Sequence, residues 1–600
     1  MLEGCKKLKS RRARLFRFLI VSAASILLIC LAVSIWLRSP RVGSRLIFVG
    51  GTILTMSQPE TVDAMYIKDG VIQLVGSEAD VLTASGGEAE IINLEGATVM
   101  PGLIETHTHP IATALTGQAV DVSGFSHNSR AEIMATLKEA SESYAPLGWV
   151  TAFGWDPILI DDLDPPTLAE LDAISPDRPL FILTQMMHEA YANSAVMEAA
   201  GITRDTPDPA GGELVRDSNG NLTGVIREVN AIKMIVDAMP TPPAGIPDLL
   251  VNLQLGKYAQ HGITTVGVLG PVGRIEEPLE SLRMLGSDRS APVRLIVYAL
   301  PDQIGPSETP NVSGRFRLRG VKFWMDGSPF AGGAAWAEPY ENTPLVRERL
   351  NLGVDHMAEL NYTQDDFQER FAEFHRRGFQ LAVHVQGERA IDAVLDAVES
   401  TLKEHPRKDH RHRLEHNALI TETQLQRARA LGVTVSFFID HIYFYGEKLP
   451  QLIGEKRLER YMPLRTAIDT GHRVTLHTDS PGSPLGLWRA MRTAILRTPR
   501  GTNVPIGAQQ QLTIVEALHA VTSHASWQLG LEDEVGTLEV GKHADLVVLS
   551  HNPTTIPVER LTEIEVLSTW INGQPVEVRP LSEANFLLAW RALTMSLGFD

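Results

Sequence analysis

VMPGLIETHTHP, residues 99–110, is the stretch that decides how this chain is read. An apolar, strand-like run leads into His107-Thr108-His109. On a β-strand, residues i and i+2 point to the same side, so the two imidazoles converge on one point, as a shared metal ion requires. A lone H-x-H recurs by chance in many strands. Here Lys322, His384, His416 and Asp479 follow, each within or at the end of a further strand-like run: GVKFWMDG, FQLAVHVQG, HRLEHN and RVTLHTD.

Outward from this stretch, strand-like and helix-like segments alternate over residues 101–529. RPLFILT, GITTVGV, VRLIVYAL and GVTVSFF read as strands, AIDAVLDAVESTLKEH and TETQLQRARALG as helices. Alternation over that length predicts an α/β fold, a (β/α)8 TIM-like barrel. A doubly wound sheet is the alternative, but no G-x-G-x-x-G fingerprint supports one. Active sites of such barrels gather at the C-terminal ends of the strands. From His384 to His416 is about one βα unit, and Asp479 lies about two units further on, so the candidate ligands fall in step with the strands.

Residues 44–100 and 530–580 are both rich in short strands and tight turns, which predicts one composite β-sandwich formed from both ends of the chain. Residues 156–243 exceed a single βα unit and predict an insertion over one mouth of the barrel. It carries a hairpin, GGELVRDSNGNLTGVIRE, turning at Asn219-Gly220. Residues 581–600 read as an amphipathic C-terminal helix.

Residues 1–43 differ in kind. Seven lysines and arginines from Lys6 to Arg17 precede an uncharged apolar run from Phe18 to Leu37. That run is long enough to span a bilayer as a transmembrane helix. The basic cluster would stay in the cytoplasm, leaving the catalytic body periplasmic or extracellular. The alternative is a signal cleaved near Ala32-Val33-Ser34, which gives a secreted protein. The formal net charge is −18, and the basic leader makes the remainder more acidic still. This argues against nucleic acid as a partner. The two cysteines, Cys5 and Cys30, both lie in the leader, so any metal in the body is held by nitrogen and oxygen ligands. Oligomeric state is left open.

Histidine and carboxylate suit zinc and similar divalent ions. Such an ion lowers the pKa of a coordinated water and polarises a carbonyl. A carboxylate at the site can take the water's proton and pass it to the leaving group, and Asp479 is the natural choice. Trp155, Asp326 and His441 lie near predicted strand ends and are candidate substrate-binding residues. Packing is the other reading of Trp155, and a turn that of Asp326-Gly327. No G-x-S-x-G elbow, P-loop or H-E-x-x-H appears.

PGLIETHTHP, MHEAYANSAVMEAAGI, GGELVRDSNGNLTGV, GVKFWMDGS, HVQGERAID, RLEHN, TDSP and GTLEVGKHADLVVL together resemble the metal-dependent amidohydrolase superfamily, most closely its family 3 branch of long, insert-bearing members. The resemblance runs from about Arg45 to Val578. It implies a barrel with a composite β-sandwich and a centre of one or two divalent ions, zinc being the expected one. It implies His107 and His109 as ligands, Lys322 as a carboxylated bridging ligand, His384 and His416 as the second pair, and Asp479 as ligand and base. His188 matches a segment that faces the substrate, which makes it a candidate catalytic residue in contact with the substrate or with metal-bound water. His477-Thr478-Asp479 stands where members often have Gly-Ser-Asp, and HVQGERAID where HAIGDRAI is commoner. The expected activity is hydrolysis of an amide or other non-peptide C–N bond of a small molecule. A deaminase of the same superfamily, or an anchored non-catalytic binding or sensor protein, are the alternatives.

Overall fold

Eight parallel strands follow one another in space in chain order: β1 (Leu103–Thr108), β2 (Ile263–Leu269), β3 (Arg294–Ala299), β4 (Phe316–Trp324), β5 (Gln380–Val385), β6 (Arg413–His416), β7 (Thr434–Phe437) and β8 (Thr475–Leu476). The computed structural model describes residues 42–143, 148–209, 212–578 and 582–596. Every residue of β1, β2, β3, β6 and β7 is buried, which is why β2 and β3 read as nearly continuous apolar runs rather than alternating ones, while β1 and β6 carry buried polar side chains. β8 is only two residues long, and its link to β1 falls just beyond its end. Asp479 N donates to His107 O at 3.1 Å and His109 N to Ser480 O at 2.9 Å. Thr106 Oγ1 also donates to Leu476 O at 3.4 Å. These bonds all but close an eight-stranded, TIM-like barrel, and they do so through the residues expected to carry the chemistry.

Strands from both ends of the chain share one sheet. Leu546–Leu549 lies between Val566–Ile571 and Thr98–Pro101, antiparallel to each, and Thr98–Pro101 pairs with Thr52–Leu54. A four-stranded sheet ordered Val71–Gly76, Ala64–Lys68, Arg45–Val49, Glu90–Asn93 packs against it. Phe48, Ile53, Leu546 and Trp570 are buried between the two, with Phe48 edge-on to Trp570 at 5.1 Å. A buried ion pair fastens this unit to the barrel: Arg294, at the start of β3, donates from Nε to Asp545 Oδ2 at 2.6 Å and from Nη2 to Oδ1 at 3.1 Å.

The insertion is larger than residues 156–243. Its six-stranded sheet is ordered Glu213–Arg216, Leu222–Arg227, Glu189–Ala192, Leu180–Thr184, Val150–Trp155, Val120–Asp121. It therefore captures two strands that precede residue 156. A short apolar run shows that a strand is buried, not which sheet it joins. The hairpin turns where expected, with Gly220 at φ 80°. The insertion is tied to the barrel's loops: Tyr445 donates to Asp156 Oδ2 at 2.8 Å, and Arg500 to Gly124 O at 2.7 Å.

The C-terminal helix, Glu583–Ser596, lies against the helix Ile246–Gln260, where Asn252 Nδ2 donates to Asn585 Oδ1 at 2.8 Å. The apolar run Phe18–Leu37 lies outside the described residues. Among those described, no helix is long and apolar enough to cross a membrane.

Three histidines near the starts of β5 and β6 form a network complete in the neutral state. His412 Nδ1 accepts from Leu381 N at 2.9 Å, so Nε2 carries the proton and donates to His375 Nδ1 at 2.9 Å. His375 Nε2 then donates to His405 O at 2.8 Å. His410 Nδ1 accepts from His412 N, and its Nε2 donates to Leu431 O. A further proton finds no acceptor here. Burial accordingly lowers His375 and holds His410 at about 4 and His412 well below the ordinary imidazole value. In the unfolded chain these groups titrate near 6.5. Their contribution to stability is therefore full above about pH 6.5 and lost as pH falls towards 4. Urea midpoints measured at pH 7.5, 5.5 and 4.5 should drop progressively. A flat profile over that window would count against the network.

Candidate metal centre

The sequence-predicted residues converge at the C-terminal rim of the barrel. His107, in β1, has its Nδ1 2.8 Å from Glu415 Oε2. A carboxylate only accepts, so Nδ1 carries the proton and Nε2 keeps its lone pair. That lone pair faces Lys322 Nζ at 3.2 Å and Asp479 Oδ1 at 3.4 Å. His109 Nδ1 donates to Gly270 O at 3.2 Å, which leaves Nε2 facing the same Asp479 Oδ1 at 3.1 Å. Backbone and carboxylate partners thus set both tautomers so that two nitrogen lone pairs meet one oxygen. His416 Nδ1 lies 4.0 Å from Asp479 Oδ2. The His384 ring is centred 4.2 Å from that of His416. Lys322, on β4, is fully buried, and its amine also lies 5.3 Å from the Trp324 ring centre.

Two ligand groups lie within mutual reach, His107 with His109 and Asp479, and His107 with His416 and His477. Among the described residues, His384 Nε2, His416 Nε2 and Asp479 Oδ1 are buried without a hydrogen-bond partner. Orphaned atoms of this kind, all nitrogen or oxygen donors, fit a divalent ion. Burial keeps the imidazoles neutral: His107 and His416 lie well below the ordinary value, and His384 is down to about 3. Burial also lowers Lys322 to about 8.

The backbone is strained where it presents these groups. His416, Asn417 and Asp479 lie in the left-handed region at φ 76°, 57° and 52°. Asn417 is pinned there by Nδ2 bonds to Leu414 O at 2.8 Å and Ser436 O at 3.0 Å.

Three supporting residues escape a reading of the sequence for ligands. Glu105, two residues before His107 and on the same side of β1, accepts from Thr478 Oγ1 at 2.7 Å and so ties β1 to the residue before Asp479. Burial raises Glu105 to about 8. Glu415 orients His107 and is itself paired with the buried Arg413, whose Nε lies 2.6 Å from Oε1. His477 stacks on His107 at 4.6 Å, and its Nε2 lies 3.2 Å from His416 Nδ1. One arrangement of protons satisfies the whole series. His416 Nδ1 donates to His477 Nε2, His477 Nδ1 donates to Ser436 Oγ at 2.8 Å, and Ser436 donates to Thr106 Oγ1 at 3.3 Å. It leaves the His416 Nε2 lone pair free to bind. His477→Ala should therefore lower affinity for added zinc by about 10–100-fold, the range found when a ligand's supporting partner is lost. Metal titration of the stripped protein reads this. Unchanged affinity would remove His477 from the series.

The remaining candidates are not part of the ligand cluster. Asp326 is a correction. Its carboxylate is fully buried and accepts backbone amides of Ala335, Gln386 and Gly387 at 2.9–3.2 Å, so it clasps the loop after β5 and is not presented to a substrate. It lies 3.7 Å from His384 Nε2, beyond hydrogen-bond distance. Gly387 is required at this clasp, because a Cβ there would stand 2.1 Å from Ala335 O. Trp155 is the second correction: it is fully buried in the core of the insertion, edge-on to Tyr191 at 5.5 Å. A strand end in the inserted sheet is not a strand end of the barrel. His441 is buried beside the cluster, its Nδ1 3.0 Å from Tyr461 OH and its ring centred 4.4 Å from that of Phe438. His188 is exposed and paired with Glu228 at 3.1 Å. Its loop reaches the rim, where Gln185 Nε2 donates to Pro481 O at 2.9 Å.

Comparison with known proteins agrees with this geometry. The sequence pattern of the "Amidohydrolase family" matches residues 90–577. The chain is 28% identical to the N-substituted formamide deformylase of Arthrobacter pascens, over 85% of this chain and 94% of that protein. It is 27% identical to the protein LONG AFTER FAR-RED 3 of Arabidopsis thaliana, over 88% of this chain and 91% of that one. In fold it resembles an uncharacterized metal-dependent hydrolase from Pyrococcus horikoshii, with a TM-score of 0.69 at 23% identity, over 86% of this chain and 99% of that one.

Proposed function

This chain belongs to the amidohydrolase family, and from that membership we propose that it hydrolyses an amide or a related non-peptide C–N bond of a small molecule. The observation that supports the reading most is the meeting of His107 Nε2 and His109 Nε2 at one oxygen of Asp479. His107, His109, His416 and Asp479 would hold a divalent ion, with His384 and a carboxylated Lys322 completing a two-ion centre. When bound, the ion, zinc in this reading, lowers the pKa of a coordinated water and polarises the substrate carbonyl.

Asp479 accepts the proton of the attacking water and returns it to the leaving nitrogen. Glu415 and the Gly270 carbonyl keep His107 and His109 in the tautomers that present Nε2. The orientation of His416 rests on His477. His441, a neutral imidazole held by Tyr461, lines the substrate side, and His188 meets the substrate at the mouth. The similarity to a formamide deformylase makes N-substituted formamides the first substrates to try. The test is hydrolysis of a panel of N-substituted formamides, larger amides and aminated heterocycles, with metal content measured in parallel. Amide turnover abolished by chelation and restored by zinc is expected. Turnover untouched by chelation would refute the reading.

Residues 1–43 would anchor this body in a membrane with its active site outside the cytoplasm, in the periplasm or the extracellular space. Membrane fractionation with protease accessibility tests this: release into the medium as a shortened chain would instead indicate a cleaved signal.

A further inference from the structure

A polar cavity of about 240 Å³ opens between the segment after β7, the helix Leu487–Leu496 and the segment Val558–Glu563. No candidate metal ligand lines it. Three arginines do, Arg489, Arg492 and Arg500, together with Tyr443 and Thr502. Arg489 and Arg492 stand three apart on one helix and so share a face, where like charges repel. Arg489 and Arg500 both lie over the ring of Phe444, at 5.0 and 5.6 Å from its centre. The ring thus packs against two of the three guanidiniums.

Their charges are unequally met. Arg489 is matched by the buried carboxylate of Asp440, with Nη2 to Oδ2 at 2.7 Å. Arg492 donates only to the backbone carbonyl of Glu559, at 3.2 Å. Arg500 donates only to the carbonyls of Phe125 and Gly124. Among the described residues, neither Arg492 nor Arg500 has a carboxylate within ion-pair distance. The single acidic side chain lining the cavity is that of Glu559, which is exposed. In a chain of net charge −18, two uncompensated guanidiniums at one recess stand apart from their surroundings. Guanidinium forks match planar or tetrahedral oxyanions, and the cavity is smaller than a typical drug-sized site.

We propose that this recess binds a small oxyanion, a carboxylate or phosphate group, between Arg492 and Arg500, with the hydroxyl of Tyr443 as a further donor. A route from here to the metal centre exists. Asp440, the partner of Arg489, lies 2.7 Å from Ser483 Oγ, which in turn lies 2.7 Å from Thr478 O, in the residue before Asp479.

The test is calorimetric titration of the full-length, metal-loaded protein at constant pH and ionic strength, with inorganic phosphate in one arm and malonate in the other. Saturable binding is expected in at least one arm, and the tighter arm identifies the group preferred. Arg492→Gln combined with Arg500→Gln should weaken that binding tenfold or more. Anions held at the metal centre would be unaffected by this change. Glu559→Gln, an exposed substitution that removes the one opposing charge, should tighten it several-fold. Binding in neither arm, or equal affinity in all three proteins, would overturn the proposal.

Discussion

Asp479→Asn should lower kcat for amide hydrolysis by about 10³-fold, within the range that a positioned general base contributes. Asparagine tolerates the left-handed backbone that Asp479 adopts at φ 52°, so the fold should survive. The amide is too weakly basic to take up a proton near neutral pH. Measured metal content separates the two roles of this side chain. Metal retained with activity lost marks Asp479 chiefly as the base, whereas both lost marks it chiefly as a ligand. Wild-type turnover in the variant would remove Asp479 from the reaction.

The second large effect lies far from the chemistry. Asp545→Ala leaves Arg294 buried and without its carboxylate. Removing one partner of such a pair costs about 3–5 kcal/mol, because the remaining charge is stranded in a low-dielectric interior. The guanidinium and carboxylate stabilise each other strongly enough to raise Arg294 and lower Asp545 despite the desolvation of both. Asp545 Oδ1 also accepts from Asn572 N at 2.9 Å, so the same change loosens the turn after Val566–Ile571. Denaturant unfolding should show a lower midpoint for Asp545→Ala. Replacing both partners, Arg294→Met with Asp545→Leu, should recover much of the loss. Equal stability of the single variant and wild type would show that the pair does not hold the sandwich to the barrel.

Much of the barrel could be read from sequence because several buried parallel strands announce themselves as apolar runs, and because each candidate ligand lies within, at the end of or just beyond a strand. His107 and His109 were legible from the two-residue period of a strand. The side chains that support them were harder to see. Glu105 and Glu415 read as ordinary strand residues until their burial is known, yet a carboxylate inside an otherwise apolar strand must find a partner. That signal was present two residues before His107 and one before His416. His477 could be seen as a departure from the family pattern, but nothing local shows that its ring would meet that of His416, brought from another strand. Trp155 and Asp326 misled for a related reason. An end-of-strand position does not reveal which sheet the strand belongs to, nor whether a carboxylate will be consumed by backbone amides.

The shared sheet sets a timetable for synthesis. Thr98–Pro101 emerges from the ribosome early, but Leu546–Leu549, its antiparallel neighbour, is made several hundred residues later. At about 5–20 residues per second, the early strand must wait tens of seconds with one edge unpaired. Such an edge can template misassociation with other nascent chains. Production of this protein should therefore depend on chaperones that shield the early strands until the last part of the chain arrives.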